Sequence, residues 1–432
     1  MKIPKHSVAI RKRLFLVVLC CMAYTAVPAR PIDLWYDQDT GRYGMLSTTL
    51  KLTGLGAYNP DDPRLFPKRH ALTGLTRLRF DLDMAIADDV SAEIAYEHRA
   101  QRATHGAGAG VGGDVLTTFA PAPWRAASLD WQMSRDRDVF AWRHEIDRAR
   151  VQIRRDWGAI TAGRQAIGLG RGLLFSAVDV FSPFSPVEVD REWRRGVDAV
   201  RVEYQTSTLS SLEMLAVFGD RWDKSALLAR YRGYMGEVDG EIIVGKRGRD
   251  AMAALVSSAV LGDSAVHGEL AFFYTPERHP DGGWFGSDRL LTKAVLGVSH
   301  TFDVGQGLTL MGEYHYSGFG LDDVADATRR FRDPRFVERY MRGDSQILDR
   351  HGAALQALLP VSDTVTCGLL LLTSLQDGSG LASPSLTWTA SETTTITVHG
   401  FAPWGASPRN GRLRSAYGAS PRTLFAQASL YF

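Results

Sequence analysis

The sequence predicts an all-β protein: a transmembrane, antiparallel, up-and-down β-barrel of about 18 strands with one loop folded inward. Three observations predict this fold. Alternating segments of roughly ten residues repeat along the chain, short and long connections alternate between them, and the final alternating strand ends in Phe432. This ending is typical of bacterial outer-membrane proteins, whose last strand is recognised by the barrel-assembly machinery. A soluble β-sandwich would share the alternation, but the number of repeats and the C-terminal strand favour the barrel.

Residues 1–29 are predicted to be a secretory signal peptide, and residues 30–432 the barrel. Five basic residues precede the apolar run 14–23, which is too short to span a bilayer. Without these five, the remaining basic residues are outnumbered by 48 acidic ones, and the net charge becomes −3. This balance gives no support for a nucleic-acid partner. Only Cys367 is left after cleavage, so no internal disulfide is expected.

The strands are predicted from the period-2 alternation of side chains. In the segment 70–86, Leu78, Phe80 and Leu82 share one face, whereas Arg77 and Arg79 share the other. The complete set of predicted strands is 43–57, 70–86, 90–101, 139–155, 159–167, 196–205, 209–219, 224–235, 239–247, 250–261, 264–275, 290–302, 307–317, 349–359, 364–374, 381–389, 394–402 and 421–432.

The lengths and composition of the connections predict where the lumen is narrowed. All long ones fall on a single rim if the first strand runs outward: 58–69, 102–138, 168–195, 276–289, 318–348 and 403–420. Residues 168–195 are too apolar for an exposed loop, since they include Phe175, Val180 and Phe181. A barrel of about 18 strands has a lumen that its own wall cannot fill. We therefore expect 168–195 to fold into the lumen as a constriction.

Two further features that concern this loop each have more than one interpretation. The segment 365–373 is apolar on both faces and is a candidate docking patch for the loop. A subunit interface and a leucine excess that reflects GC-rich codons are the alternative explanations. Within the loop, three acidic residues alternate with three arginines between positions 188 and 195. Ion pairs that fix the return of the loop to the wall are one interpretation, and substrate contact is the other.

Arginines are expected to line the lumen. The chain after residue 29 has 40 Arg and five Lys, and the rigid guanidinium fork suits carboxylate and phosphate groups. Inward positions of the predicted strands carry Arg77, Arg79, Arg148, Arg150, Arg201, Arg230 and Arg232. Acidic residues share this side, and 351–402 contains no Lys or Arg. We therefore predict a transverse electric field across the lumen.

Residues 163–200 combine Gly163-Arg-Gln, a Gly-x-Gly-x-Gly run at 168–172, and Arg195-Gly-Val-Asp-Ala-Val. This combination resembles the alginate-export family of outer-membrane porins, and the likeness covers only this short part of the chain. The resemblance implies a barrel of about 18 strands with an arginine-rich path for an anionic polysaccharide. By the same resemblance, the pore lining includes Arg164, Arg191, Arg194, Arg195 and Arg201.

Together, these features predict an outer-membrane porin or export channel of a Gram-negative bacterium. Its solutes are expected to be small or oligomeric anions, and its other partners are the outer-membrane lipids. No metal, cofactor or enzymatic activity is expected, because the sequence lacks His-Glu-x-x-His, Gly-x-Ser-x-Gly and clustered His/Cys sets. Two alternatives stay open: a barrel-borne hydrolase with its catalytic groups on the outer rim, and a structural or assembly barrel with a plugged lumen.

Overall fold

A computed structural model describes residues 31–104, 124–136, 139–279, 283, 285 and 287–432. Within these residues, twenty strands form one antiparallel sheet, and eighteen of them close a barrel. The predicted fold class, an all-β up-and-down barrel, is confirmed. The predicted signal peptide at 1–29 lies outside the described residues.

The eighteen predicted strands are all present, and their ends differ from the predictions by only a few residues. They are β2 (Tyr43–Tyr58), β3 (His70–Ala87), β4 (Val90–Ala103), β6 (Phe140–Arg155), β7 (Gly158–Gln165), β8 (Val197–Ser207), β9 (Ser210–Phe218), β10 (Ala226–Met235), β11 (Val238–Arg247), β12 (Asp250–Leu261), β13 (Ser264–Tyr274), β14 (Leu290–Phe302), β15 (Leu308–Ser317), β16 (His351–Ser362), β17 (Val365–Ser374), β18 (Gly380–Ser391), β19 (Thr394–Trp404) and β20 (Arg422–Tyr431). Pairing of β2 with β20 closes the barrel.

Two short strands, β1 (Ile32–Tyr36) and β5 (Asp130–Asp136), were not predicted. Each of them pairs with the end of a wall strand, at a point that the adjacent wall strand does not reach. The strand β1 pairs with the start of β2, which β20 does not reach. The strand β5 pairs with the start of β6, beyond the point at which β7 ends. Both therefore cover backbone donors and acceptors that would otherwise form an open sheet edge.

The two faces of the wall follow the predicted alternation. On β14, for example, Leu296 is 65% exposed on the outer surface, whereas its neighbour Val295 is buried on the inner one. On β3, Arg77 and Arg79 point inward and are buried. An apolar outer face is what a barrel in a bilayer requires, because lipid cannot hydrogen-bond to polar side chains.

The long connections share one rim, as predicted, because successive strands pair in an up-and-down order. The connection between β15 and β16 contains two short helices, α1 (Ala327–Arg330) and α2 (Pro334–Met341). The side chain of Asp333 accepts a hydrogen bond from the backbone N–H of Arg335 at 3.0 Å and caps α2, with Pro334 in the first turn. Neither helix is long and apolar enough to cross a membrane.

We predict that the long-connection rim faces the cell exterior. A cysteine introduced at the exposed position Ala325, on the long-connection rim, should react with a membrane-impermeant maleimide on intact cells. A cysteine at Ser207, in the short turn between β8 and β9, should react only after the outer membrane is permeabilised. The control is the same labelling on lysed cells, where both should react. Labelling of Ser207 alone on intact cells would mean that the barrel has the opposite orientation.

The lumen and its inner loop as the candidate functional site

Residues 168–195, which we call the inner loop, lie inside the barrel. Its apolar residues Leu174, Val178 and Phe181 are buried against inward-facing wall residues such as Ile243 and Phe273. Burial of each such side chain contributes about 1.5–3 kcal/mol. The loop therefore folds inward because its apolar side chains are buried there against apolar residues of the inner wall.

Glu269, on the inner face of β13, binds the first turn of the inner loop. One carboxylate oxygen accepts hydrogen bonds from the backbone N–H groups of Arg171 and Gly172, the latter at 2.6 Å. The other accepts from the Ala177 N–H at 2.6 Å and from the Ser176 hydroxyl at 2.9 Å. A buried carboxylate that accepts several N–H donors is compensated for the loss of water.

Glu313, on the inner face of β15, binds the next three residues in the same way. Its oxygens accept the backbone N–H groups of Leu173 at 2.6 Å, Leu174 at 2.9 Å and Phe175 at 2.8 Å. His267 lies 2.9 Å from the same carboxylate through Nε2. Two wall glutamates thus satisfy the backbone donors of a loop segment that has no sheet partner of its own.

The Gly-x-Gly-x-Gly run at 168–172 is explained by the close approach of the loop backbone to the Glu269 carboxylate. Gly170 has a φ of +97°, and a Cβ there would lie 2.4 Å from a carboxylate oxygen of Glu269. A Cβ on Gly172 would lie 1.8 Å from the carbonyl oxygen of Phe175. The glycines therefore let the backbone wrap around the carboxylate, which side chains at these positions would prevent.

The acidic end of the inner loop binds the opposite wall. Asp190 accepts hydrogen bonds from Lys51 of β2 and Arg77 of β3, both at 2.7 Å. Burial alone would raise the pKa of Asp190, but Arg77 and Lys51 hold the pKa below its ordinary value. The Trp193 ring lies 3.9 Å from Lys51 Nζ and 4.8 Å from the guanidinium of Arg79. These contacts fit the interpretation that ion pairs fix the return of the loop to the wall.

Two of the arginines predicted in the inner loop, Arg191 and Arg194, bind other residues of the same loop. The Arg191 guanidinium donates hydrogen bonds to four carbonyl oxygens of the loop, including those of Leu173 at 2.9 Å and Pro186 at 2.8 Å. Arg194 pairs with Asp179 and donates to the Ser182 carbonyl at 2.7 Å. Burial raises the pKa of Asp179 to about 6, although Arg194 partly opposes this shift.

Arg195 is buried at the end of the inner loop. Burial lowers the pKa of its guanidinium to about 10, and Glu145 on the wall partly offsets that effect. Its neighbour Gly196 donates its backbone N–H to Asp147 at 2.9 Å. The contacts of Arg195 and Gly196 thus join the end of the loop to β6.

The predicted wall arginines near the loop are ion-paired. Arg77 donates to both oxygens of Glu97, at 3.1 and 3.0 Å. Arg79 lies 2.8 Å from Asp81 and 3.1 Å from Asp147. Arg148 also pairs with Asp147 and donates to the carbonyl oxygen of Arg194. This part of the wall is therefore a compensated network, as the acidic residues on the same side of the predicted strands suggested.

A second set of predicted arginines, on β6, β8 and β10, forms a ladder of ion pairs with carboxylates on strands from β4 to β11. Arg150 pairs with Glu93 across β4 and β6. Arg230 lies 3.0 Å from Glu213 and 2.7 Å from Glu241. Further members of the ladder are Arg201 with Glu203 and Glu213, Arg232 with Asp239, and Arg171 of the inner loop with Asp239 and Glu241.

Arg164 differs from its predicted position in the pore lining. Strand alternation places it on the face of β7 that carries the exposed Ile160, which is the outer face. It is buried nonetheless, because it donates to Asp198 at 2.7 Å and to the backbone carbonyl of Ala127. The segment after residue 124 covers this end of β7 and β8, which the sequence pattern did not indicate.

The predicted docking patch at 365–373 contributes only in part. Leu372 belongs to the same buried cluster as the loop. Phe175, however, stacks on His315 of β15 with ring centroids 4.9 Å apart and approaches Gly352 of β16.

The predicted wall arginines, which are ion-paired, lie on β3 to β10. The wall from β16 to β19 carries neither Lys nor Arg. The described residues contain no group of three or more side chains suited to a metal ion.

The barrel is similar to several solved structures. Acinetobacter baumannii OccAB3 matches with a TM-score of 0.55 at 10% identity, over 90% of this chain and 99% of that one. Acinetobacter baumannii OccAB4 matches with 0.51 at 9% identity, over 90% and 98%. Pseudomonas aeruginosa OccK2 (OpdF) matches with 0.51 at 9% identity, over 90% and 97%.

At this identity the likeness shows the fold, which is that of outer-membrane porins. The fold agrees with the expected place of the chain in the bacterial outer membrane. The sequence matches no protein-family model, and no curated protein sequence matches it either. The resemblance of residues 163–200 to the alginate-export family therefore stays an expectation.

Proposed function

We propose that the protein is an outer-membrane channel that passes small or oligomeric anionic solutes through a lumen narrowed by the inner loop. The fold supports a channel, since a barrel of about 18 strands encloses more space than its wall side chains fill. The inner loop is held on opposite walls, by Glu269 and Glu313 on one side and by Lys51 and Arg77 on the other. A loop held in this way occupies a fixed part of the bore.

One observation carries the preference for anions. In the ladder on strands from β4 to β11, the arginine is more exposed than the carboxylate in most ion pairs. Arg150 is 34% exposed against 19% for Glu93, and Arg232 is 35% exposed against 10% for Asp239. The charge nearest to the water in this part of the lumen is therefore positive, and fixed charges near a narrow pore select ions by sign.

We expect neutralisation of these arginines to reduce the preference for anions. The double variant Arg150→Gln and Arg232→Gln should shift the reversal potential in planar bilayers under a salt gradient towards cation preference. The variant Arg335→Gln, on a distant outer loop, serves as the control and should leave the reversal potential unchanged. An unchanged reversal potential in the double variant would contradict the proposed selectivity.

A plugged structural barrel is the second candidate, and a specific feature favours it. On the long-connection rim, residues from four different connections pack into one buried cluster, including Trp124, Phe181, Leu321 and Tyr417. Such packing would close the bore if it extended across it. A native protein that conducts no ions, although it is folded in the bilayer, would support this candidate over the channel.

A further inference from the structure

A groove on the outer surface of the barrel lies where the first and last wall strands meet. It has a volume of about 490 Å³ and lies between β2, β3, β19 and β20, towards the long-connection rim. Its floor is formed by small residues, Gly56, Gly400 and Ala402, and its sides by Leu72 and Leu424. The two leucines are well exposed on the outer face, so the groove opens towards lipid.

Nothing in the fold requires glycine at the floor of the groove. Neither Gly56 nor Gly400 has a positive φ. A Cβ on Gly56 would make an ordinary contact with Leu72 at 3.6 Å, and one on Gly400 would make one with Pro384 at 3.5 Å. Larger side chains would therefore fit the backbone and would project into the groove. The groove is open because side chains are missing there, and not because the strands are distorted.

The upper end of the groove is polar and basic. Tyr58, His70 and Arg422 line it, and Arg422 is exposed. Within the described part of the chain, the side chain of Arg422 has no hydrogen-bond or ion-pair partner. Arg69 lies over the Tyr58 ring at 4.8 Å and donates to its hydroxyl at 2.6 Å. An aromatic and basic end at this level is typical of the boundary between lipid tails and headgroups.

The two connections above the groove add positive charge. Residues 59–69 and 405–421 carry six basic and two acidic residues. Asp62 is occupied by the backbone N–H groups of Arg64 at 3.0 Å and Gly411 at 2.7 Å, which tie the two connections together. Asp61 pairs with Arg69. Five exposed basic residues of these described connections have no carboxylate partner for their side chains. Arg64 donates to the carbonyl oxygen of Asn410 at 3.1 Å, and the others are Lys68, Arg409, Arg412 and Arg414.

We propose that this groove binds an anionic lipid of the outer leaflet, with one acyl chain on the glycine floor and a phosphate headgroup against Arg422. The apolar groove faces the bilayer, and its basic end lies at the level where a headgroup would be. Basic residues at a membrane surface attract anionic lipids. The proposal does not depend on transport, since the groove lies on the outer face of the wall.

Binding of a defined lipid to the purified, delipidated protein in detergent tests the proposal. Dipalmitoyl phosphatidylglycerol is added, and bound lipid is counted by native mass spectrometry; dipalmitoyl phosphatidylcholine and inorganic phosphate are the comparison probes. We expect phosphatidylglycerol to bind in preference to phosphatidylcholine. The variant Arg422→Gln should weaken its binding about fivefold, the factor for one basic residue beside an anionic lipid. Inorganic phosphate should not compete, because it lacks the acyl chain.

The variant Gly400→Leu fills the groove and should abolish binding of the counted lipid, while Ala253→Leu, at an exposed outer position of β12, should not. Heat modifiability on gels reports whether each variant is folded. Equal binding by Gly400→Leu and Ala253→Leu would overturn the proposal. A groove that is instead covered by a second copy of the chain, detected as a dimer or trimer that Gly400→Leu disrupts, would overturn it as well.

Discussion

Replacing Leu173–Pro186 by a short Gly/Ser linker is expected to leave an assembled barrel with a several-fold larger single-channel conductance. The barrel should still form, because hydrogen bonds between neighbouring wall strands close it without the inner loop. The conductance should increase because the buried cluster around Phe175 and Phe181 then no longer occupies the bore. Planar-bilayer recordings measure the conductance, and heat modifiability on gels shows that the barrel is folded.

The matched control shortens a connection that does not enter the lumen. Residues 303–307 join β14 and β15 on the opposite rim, are exposed or half-buried, and can be replaced by Gly/Ser without removal of any buried apolar residue. This control should keep the native conductance. An unchanged conductance in the folded variant of the inner loop would place the narrowest part of the bore elsewhere and would remove the basis for the proposed constriction.

Removing the two wall carboxylates should destabilise the inner loop strongly. In Glu313→Ala, the backbone N–H groups of Leu173, Leu174 and Phe175 lose their acceptor. In Glu269→Ala, the backbone N–H groups of Arg171 and Gly172, before these residues, and of Ala177, after them, lose their acceptor. A buried donor without a partner costs about 1–3 kcal/mol. Each variant leaves at least three such donors without their acceptor, so each should lose at least about 3 kcal/mol of the free energy of unfolding.

Chemical denaturation in lipid vesicles measures the free energy of unfolding, and single-channel noise reports loop motion. Both variants should show fluctuating conductance, since the loop loses one of its attachments. Glu203→Ala is the matched control, because Glu203 is a partly exposed wall glutamate whose one ion-pair partner among the described residues is Arg201. That exposed pair is expected to contribute less than about 1 kcal/mol. If all three variants were equally stable, Glu269 and Glu313 would not be what holds the loop.

These two glutamates also show how the inner loop achieves its position. A segment that lies away from the wall sheet has backbone N–H groups that need acceptors. Glu269 and Glu313 supply them from the wall, and their negative charge is compensated by the number of donors that each accepts. On the opposite side of the lumen, Asp190 of the loop forms ion pairs with Lys51 and Arg77 of the wall. The loop is therefore held by polar contacts at its ends and by apolar burial in its middle.

The wall of this barrel could be predicted from the sequence because its pattern is local. In β3, the alternation of Leu78 and Leu82 with Arg77 and Arg79 predicts directly which residues face lipid and which face the lumen. Each strand must satisfy the same requirement, an apolar face towards the bilayer, so the pattern repeats and the strands can be counted. The inward position of the inner loop followed from the same reasoning, because apolar residues such as Phe175 need a buried site.

Only the tertiary structure decided which groups meet inside the lumen. The Gly-x-Gly-x-Gly run indicates a close approach of the backbone, but its partner Glu269 lies about a hundred residues away, and no local pattern marks it. Arg164 shares its residue type with the lumen arginines, yet it lies on the other face of its strand, where Asp198 compensates it. Local periodicity determines which way a side chain points, whereas its partner depends on strands and loops that are distant in sequence, and those are brought together only when the barrel closes.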